Sequence, residues 1–387
     1  MIPYGKQDIS REDIEEVVGA LKSDFLTQGP LIPKFEESIS KYTNSKYCAA
    51  VNSATSALHI ACLALGIGKK DIVWTSPITY VASANAALYC GAEIDFVDID
   101  PDNFNMCPVM LEEKLIKAKT KNCLPKAVIP VHLAGQSCNM QKISKIAKKY
   151  NVKIIEDASH AIGGFYKNSP IGSCKYSDIA VFSFHPVKII TTGEGGAITT
   201  NNRKIYEKIE MLRTHGVTRN RSFMKNKPHG DWYYEQLMLG FNYRITDIQA
   251  ALGLSQMKRL KEFIQKRNDI AENYNNLLKN KNLILPSISS DCLSAFHLYV
   301  IRIKNYDKNI RKKIFDFLRS EKIGVNIHYM PIYKQPFYEN KFGASYSLDN
   351  AEKYYSSAIS IPMYPKLTKA DQKIVADKIL EAVNLYC

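Results

Sequence analysis

Lys188 lies between the apolar run IAVFSF and the turn TTGEGG, inside the stretch DIAVFSFHPVKIITTGEGGAITTN that spans residues 178–201. An amine on a loop between two core strands points either to solvent or into a cavity. In a cavity, loss of water penalises the ammonium, lowers its pKa and leaves a nucleophile able to form a Schiff base. Any one of the 41 lysines of this chain reads more simply as a solvated side chain, so the company of Lys188 has to set it apart. EDASHA, residues 156–161, follows the strand-like KII. Its Asp157 falls where ligands gather in open α/β sheets, outside the carboxyl ends of the strands. A carboxylate there pairs with a protonated heterocyclic nitrogen; taken alone, it reads equally as a helix N-cap.

NSATSALH, residues 52–59, is a strand–turn–helix junction rich in small residues. Its first-turn N–H groups, with the hydroxyls of Ser53 and Thr55, make an anion site suited to a phosphate. ITYVASANAA, residues 78–87, puts Tyr80 after another strand at the same edge, where a phenol ring stacks on a flat ligand or packs in the core. LGFNYRITD, residues 239–247, places Asn242 and Arg244 within reach of an anion, on this chain or on a neighbouring subunit, with Thr246 as a helix N-cap. HYMPIY, residues 328–333, offers an imidazole and phenols to a substrate pocket, while His160 and His185 read as orienting or as structural histidines. No pair of histidines has metal-ligand spacing backed by carboxylates, so no metal site is expected. An amine, an acid, a phosphate cradle and a stacking ring together match what pyridoxal phosphate asks of a protein.

Positioning these groups takes an alternation of strands and helices. Between residue 48 and about 200 the strand-like runs are DIVWTS, EIDFVDI, KAVIPVHL, KIIED and IAVFSF, and 55–65 and 139–150 read as helices between them. Ahead of these, Ser10 caps a helix over 11–22 with Ile14, Val17, Val18 and Leu21 on one face. Beyond them, 245–279 reads as one or two long helices, HLYVIRI as a strand, and 308–321 and 369–386 as helices. The pattern predicts an α/β fold: a large, mainly parallel sheet domain and a smaller α+β C-terminal domain. The 387 residues suffice for two such domains.

Composition narrows the function. The longest apolar-leaning stretch, residues 47–67, is broken by Asn52, Ser53, Thr55 and His59, so no membrane association is expected. Nine widely spaced cysteines without a CxxC pair suit a reducing cytoplasm. The net charge of +14 comes from scattered lysines rather than from a basic stripe with aromatics, so it argues for steering a small anion and against nucleic acid. No GxGxxG follows the first strand, which disfavours a nicotinamide enzyme.

The segments NSATSALH, EDASHA, FSFHPVK with TTGEGG, and LGFNYRITDIQAALG resemble the DegT/DnrJ/EryC1/StrS sugar-nucleotide aminotransferases nearly end to end. The resemblance implies the fold-type I architecture of pyridoxal phosphate enzymes, with residues 1–245 as the N-terminal and large domain and 246–387 as linking helices and the small domain. It further implies Lys188 as the residue that holds the cofactor and shuttles the proton, and Asp157 on the ring nitrogen. Ser53, Ala54, Thr55 and Ser183 would take the phosphate from one subunit, with Asn242 reaching over from the other. Tyr80 and His160 would lie against the cofactor; relatives more often carry phenylalanine or tryptophan where Tyr80 stands. A nucleotide sugar would meet Tyr4, Asp24, Phe25, Leu26, Thr27, His328 and Tyr329, with Ala54, Ser183 and Asn242 shared.

A homodimer, L-glutamate as amino donor and pyridoxamine phosphate during turnover complete the expectation. The phrases SDFLTQGP and TSPITYVASANAALYCGAEIDFVDID point within the family toward a UDP-linked 4-keto-6-deoxy-N-acetylhexosamine as acceptor, reacting at C4. Other UDP- or dTDP-linked 3- or 4-keto sugars, and a non-catalytic binding protein on the same fold, stay open. Relatives that dehydrate sugars carry a histidine in place of the lysine, whereas HPVK keeps it.

Overall fold

A computed structural model describes residues 1–304 and 307–387. Its centre is a seven-stranded sheet built from β1 (Tyr47–Val51), β2 (Ile72–Thr75), β3 (Glu93–Phe96), β4 (Ala127–Ile129), β5 (Lys153–Asp157), β6 (Ile179–Ser183) and β7 (Gly196–Thr200), in the order β1-β7-β6-β5-β4-β2-β3. Only β7 runs against its neighbours; every other pairing in the sheet is parallel. All five residues of β6 are buried, as a strand covered on both faces requires.

Helices α1 (Arg11–Leu21), α2 (Leu31–Thr43), α3 (Ala54–Ala64), α4 (Ala82–Tyr89), α5 (Pro108–Thr120), α6 (Met140–Lys149) and α7 (Arg203–Arg213) belong to this part of the chain. Ala57, Ile60 and Ala61 of α3 pack with Val51, Ile179 and Ile198 on one face of the sheet. Phe35 and Ile39 of α2 pack with Phe182 and Phe184 on the other. A separate apolar cluster joins Tyr299, Ile301 and Ile303 of strand Tyr299–Ile303 to Ile314 and Leu318 of helix Lys308–Ser320 and to Val375, Ile379 and Val383 of helix Lys369–Tyr386.

The 245–279 segment is two helices, α8 (Asp247–Lys258) and α9 (Leu260–Leu277), with Arg259 between them. Thr246 caps α8 through a reciprocal box with Gln249. Ser10 caps α1 in the same way with Asp13, but most of the apolar face of α1 does not turn inward: Val17 is half-buried, while Ile14, Val18 and Leu21 are 56%, 40% and 54% exposed. The helix is held instead by its polar side, where buried Asp13 accepts from Gln256 Nε2 and Arg259 Nη2, both at 2.6 Å. Burial works to raise the Asp13 pKa, yet the Ser10 N–H, Ser255, Gln256 and the Arg259 cation outweigh it and hold the carboxyl below its ordinary value. Among the described residues, no helix is long and apolar enough to cross a membrane.

Candidate active site

The carboxyl ends of β1, β2, β4, β5 and β6 open into one cavity of about 840 Å³. Each strand delivers its side chains through the turn that follows it. After β1 come Asn52 to Ser56, after β2 Thr79 to Ser83, and after β4 Val131; β5 brings Asp157, Ser159 and His160, and β6 brings Ser183 and His185. Lys188 and Glu194 enter from the β6–β7 loop, and Tyr4, His297, Asn326, His328, Tyr329 and Gln335 close the remaining side.

Lys188 is fixed by its loop. The Lys188 N–H donates to His185 O at 2.9 Å, the Thr191 hydroxyl donates to Phe184 O at 3.0 Å, and Gly193 takes the positive φ that the turn requires. The amine is mostly buried. Loss of water pulls its pKa down to about 8, against the opposing attraction of Asp157.

The Asp157 carboxylate is anchored on both oxygens. Oδ2 accepts from Ser83 Oγ at 2.6 Å, and Oδ1 accepts from Ser159 Oγ at 2.6 Å and from the Ser159 N–H at 3.1 Å. A carboxylate so bonded and only 4% exposed is oriented, not merely capping a turn.

The start of α3 offers a cradle that fits a phosphate. Ser53 is its N-cap, its oxygen accepting from Ser56 N at 3.1 Å, so the first-turn amides of Ala54 and Thr55 remain without intrahelical partners. Behind them β7 approaches so closely that a Cβ on Gly196 would sit 2.7 Å from Ala54 N.

Three imidazoles and a phenol make the opposite wall. The Ala134 N–H donates to His160 Nδ1 at 3.3 Å, which places the ring proton on Nε2, 3.3 Å from Tyr329 Oη. Tyr329 therefore accepts from His160 and keeps its own proton for the cavity; burial and the Asp157 charge hold that hydroxyl in its neutral form. His328 pairs through Nδ1 with Ser360 Oγ at 2.8 Å, and burial with the Lys188 charge takes its pKa down to about 4. Tyr80 stands 62% exposed at the rim, its ring 6.3 Å from that of Tyr329. Tyr4 packs on His328 at 5.5 Å.

Of the residues singled out in the sequence, Tyr4, Ser53, Ala54, Thr55, Tyr80, Asp157, His160, Ser183, Lys188, His328 and Tyr329 line this one cavity. Asp24, Phe25, Leu26, Thr27 and Asn242 do not reach it within the chain. Their segments are tied elsewhere: the Asp247 N–H donates to Leu26 O at 2.9 Å, Gly29 N donates to Asp247 Oδ2 at 2.7 Å, and Asn242 lies exposed between Phe241 and Tyr243, outside β1. Sequence reasoning passed over Ser83 and Ser159, although both sit inside the motifs it used. It also passed over His297, which no local pattern marks.

The donor set fits pyridoxal phosphate. A desolvated amine, an anchored carboxylate, free helix-start amides with space kept by Gly196, and an exposed ring at the rim share one cavity.

Comparison with known proteins points the same way. The family model for the DegT/DnrJ/EryC1/StrS aminotransferases matches residues 7–380. The UDP-4-amino-4,6-dideoxy-N-acetyl-beta-L-altrosamine transaminase of Campylobacter jejuni (serotype O:23/36, strain 81-176) is 40% identical over 392 residues, covering 100% of both chains. Among solved structures, Helicobacter pylori PseC, an aminotransferase involved in the biosynthesis of pseudoaminic acid, superposes with a TM-score of 0.90 at 32% identity over 100% of both chains. NtdA from Bacillus subtilis with bound cofactor PMP gives a TM-score of 0.83 at 29% identity, over 97% of this chain and 83% of that one. The chain belongs to the DegT/DnrJ/EryC1/StrS aminotransferase family, and it is a pyridoxal-phosphate-dependent nucleotide-sugar aminotransferase.

Proposed function

We propose that this enzyme moves the amino group of L-glutamate to the C4 keto carbon of UDP-2-acetamido-2,6-dideoxy-β-L-arabino-hexos-4-ulose, giving UDP-4-amino-4,6-dideoxy-N-acetyl-β-L-altrosamine for pseudaminic acid synthesis. It acts in the cytoplasm as a homodimer with shared sites. The observation that carries the aminotransfer is the Lys188 amine, drawn toward neutrality in the same cavity as an anchored carboxylate. The choice of sugar is supported by the names of the Campylobacter and Helicobacter relatives.

In this reading Lys188 is the catalytic residue and Asp157 meets the ring nitrogen. Ser53, Ala54, Thr55 and Ser183 hold the phosphate, with Asn242 of a second subunit, and Tyr80 and His160 lie against the ring. The cofactor, when bound, supplies an aldehyde that takes up the amino group and a ring that accepts an electron pair. The chain's own groups do the rest. Asp157 keeps the ring nitrogen's proton in place, and Ser83 and Ser159 keep Asp157 in place. Lys188 Nζ, poised near neutral pH, would take the proton removed from the α-carbon of glutamate, pass it to the cofactor carbon that receives the amino group, and in the second half-reaction deliver a proton to C4 of the sugar. Tyr329 offers its hydroxyl proton to the sugar from the 326–330 loop, which lines that side of the cavity.

The test is incubation with L-glutamate and a panel of UDP- and dTDP-linked 3- and 4-keto sugars, scored by mass spectrometry for the amino product and by NMR for its configuration. The named UDP-sugar should turn over best; preference for another sugar overturns the substrate. Lys188→Ala should abolish turnover with the fold intact, and retained steady-state activity overturns the lysine assignment.

A further inference from the structure

Lys188 has a buried imidazole beside it. His297 precedes strand Tyr299–Ile303, its Nε2 is 3.5 Å from Lys188 Nζ, and its buried Nδ1 has no hydrogen-bond partner among the described residues. A neutral imidazole carries one proton, and its place follows from the partners available. On Nδ1 it would be an orphaned buried donor, a rare and costly arrangement. On Nε2 it meets Lys188. An ammonium has three donors and no acceptor, so only a free amine, with its lone pair, can receive that proton.

Burial first, and then the charges around it, keep His297 neutral. Arg267 of α9 is 1% exposed and spends Nη1 on backbone carbonyls alone: Phe296 O at 3.0 Å, Met363 O at 3.2 Å and His297 O at 3.4 Å. A buried cation fixed to the backbone of His297 opposes a second positive charge on its ring. The groups facing His297 from the other sides are Lys188, His160, whose ring is 4.4 Å away, and His328. None of them offers a negative charge. Facing Lys188 in the cavity are Asp157, His160, His185, Glu194, His297, His328, Tyr4, Tyr80 and Tyr329, and Asp157 is the anion whose attraction it feels.

We propose that His297 is a positioning residue which, backed by the buried Arg267 guanidinium, donates from Nε2 to Lys188 Nζ and so selects the free-amine form of the lysine. This rests on Lys188 being the reactive amine, but it is tested without turnover. In the cofactor-free protein the pH midpoint of Lys188 is read by amine-selective labelling with peptide mass spectrometry.

His297→Phe keeps a ring of similar volume and removes the donor. Labelling of Lys188 at pH 7.5 is expected to fall by about 3- to 10-fold, the midpoint moving upward while other lysines stay unchanged. Simple packing predicts the opposite, because a phenyl ring is drier than an imidazole. An unchanged or lower midpoint overturns the proposal. Should that variant not fold, the ¹⁵N shifts of His297 in the wild-type protein decide. A proton on Nε2 at pH 9, where Lys188 is mostly free amine, supports the proposal, and one on Nδ1 at that pH, or a charged ring, overturns it. Absence of any adduct at Lys188 on adding pyridoxal phosphate and borohydride would instead count against the aminotransferase assignment itself.

Discussion

At the scale of single residues, the site is a set of charges held in unequal surroundings. Lys188, pulled down to about 8, is free amine to about a tenth at pH 7, hundreds of times more than an ordinary lysine. Capture of pyridoxal phosphate by the cofactor-free chain should therefore accelerate roughly tenfold per pH unit up to about pH 8 and then level off. Stopped-flow absorbance reads this, and a rate still climbing at pH 10 would mean that Lys188 is solvated. The Asp157 carboxylate makes a complementary case. Each serine bonded to a charged carboxylate contributes roughly 1.5–3 kcal/mol. Ser83→Ala and Ser159→Ala should each weaken cofactor retention on the order of tenfold, and together less than the product, since they hold the two oxygens of one carboxylate. Equilibrium dialysis with absorbance would show it, and full retention by the double variant would remove the anchoring argument. Lys188 and Asp157 were legible because each sits in a short motif at a strand end. His297 was not, being 109 residues from Lys188 in the chain and next to it only in space.

At the scale of elements, the strand–helix alternation was readable from periodicity, but the geometry that makes a cradle of α3 was not. That geometry depends on β7 lying against the start of α3, a contact between segments more than 140 residues apart. Gly196 is the residue that permits it: a methyl group there would meet Ala54 N and Ser53 C at 2.7 Å and Ser53 O at 2.8 Å, all backbone atoms that cannot swing aside. Gly196→Ala is expected to push the first turn of α3 out of place. Affinity for pyridoxal phosphate should drop by on the order of tenfold or more, with far-UV circular dichroism close to wild type. Unchanged affinity in that variant would show that the α3 amides do not form the phosphate site. The exposed stripe of α1 teaches the converse lesson. Its 3.6-residue period was visible, and a core was the natural place to put it. The helix is tethered instead by Asp13 to Gln256 and Arg259, and no periodicity in 11–22 records where those partners lie.

At the scale of the whole molecule, the features left over by one chain belong together. Ile14, Val18 and Leu21 of α1, with Phe25 at 51% and Leu26 at 47% exposure just beyond, are apolar side chains without cover. Asp24 to Thr27 and Asn242 are absent from the cavity of their own chain. A second copy accounts for both facts if its 24–27 segment and Asn242 enter the first copy's cavity, and the apolar side chains are covered on association. Complementation tests this without a structure of the pair. A Lys188→Ala preparation, inactive alone, and an Asn242→Ala preparation, weak alone, are mixed, dissociated and allowed to reassociate. In a shared-site dimer, half of the pairs are hybrids. Each hybrid has one site with Lys188 from one chain and Asn242 from the other, both intact, and one site lacking both. Activity should therefore recover to about a quarter of wild type. If each cavity were complete within one chain, no hybrid would contain an intact site, and the mixture would stay at the average of its two parents.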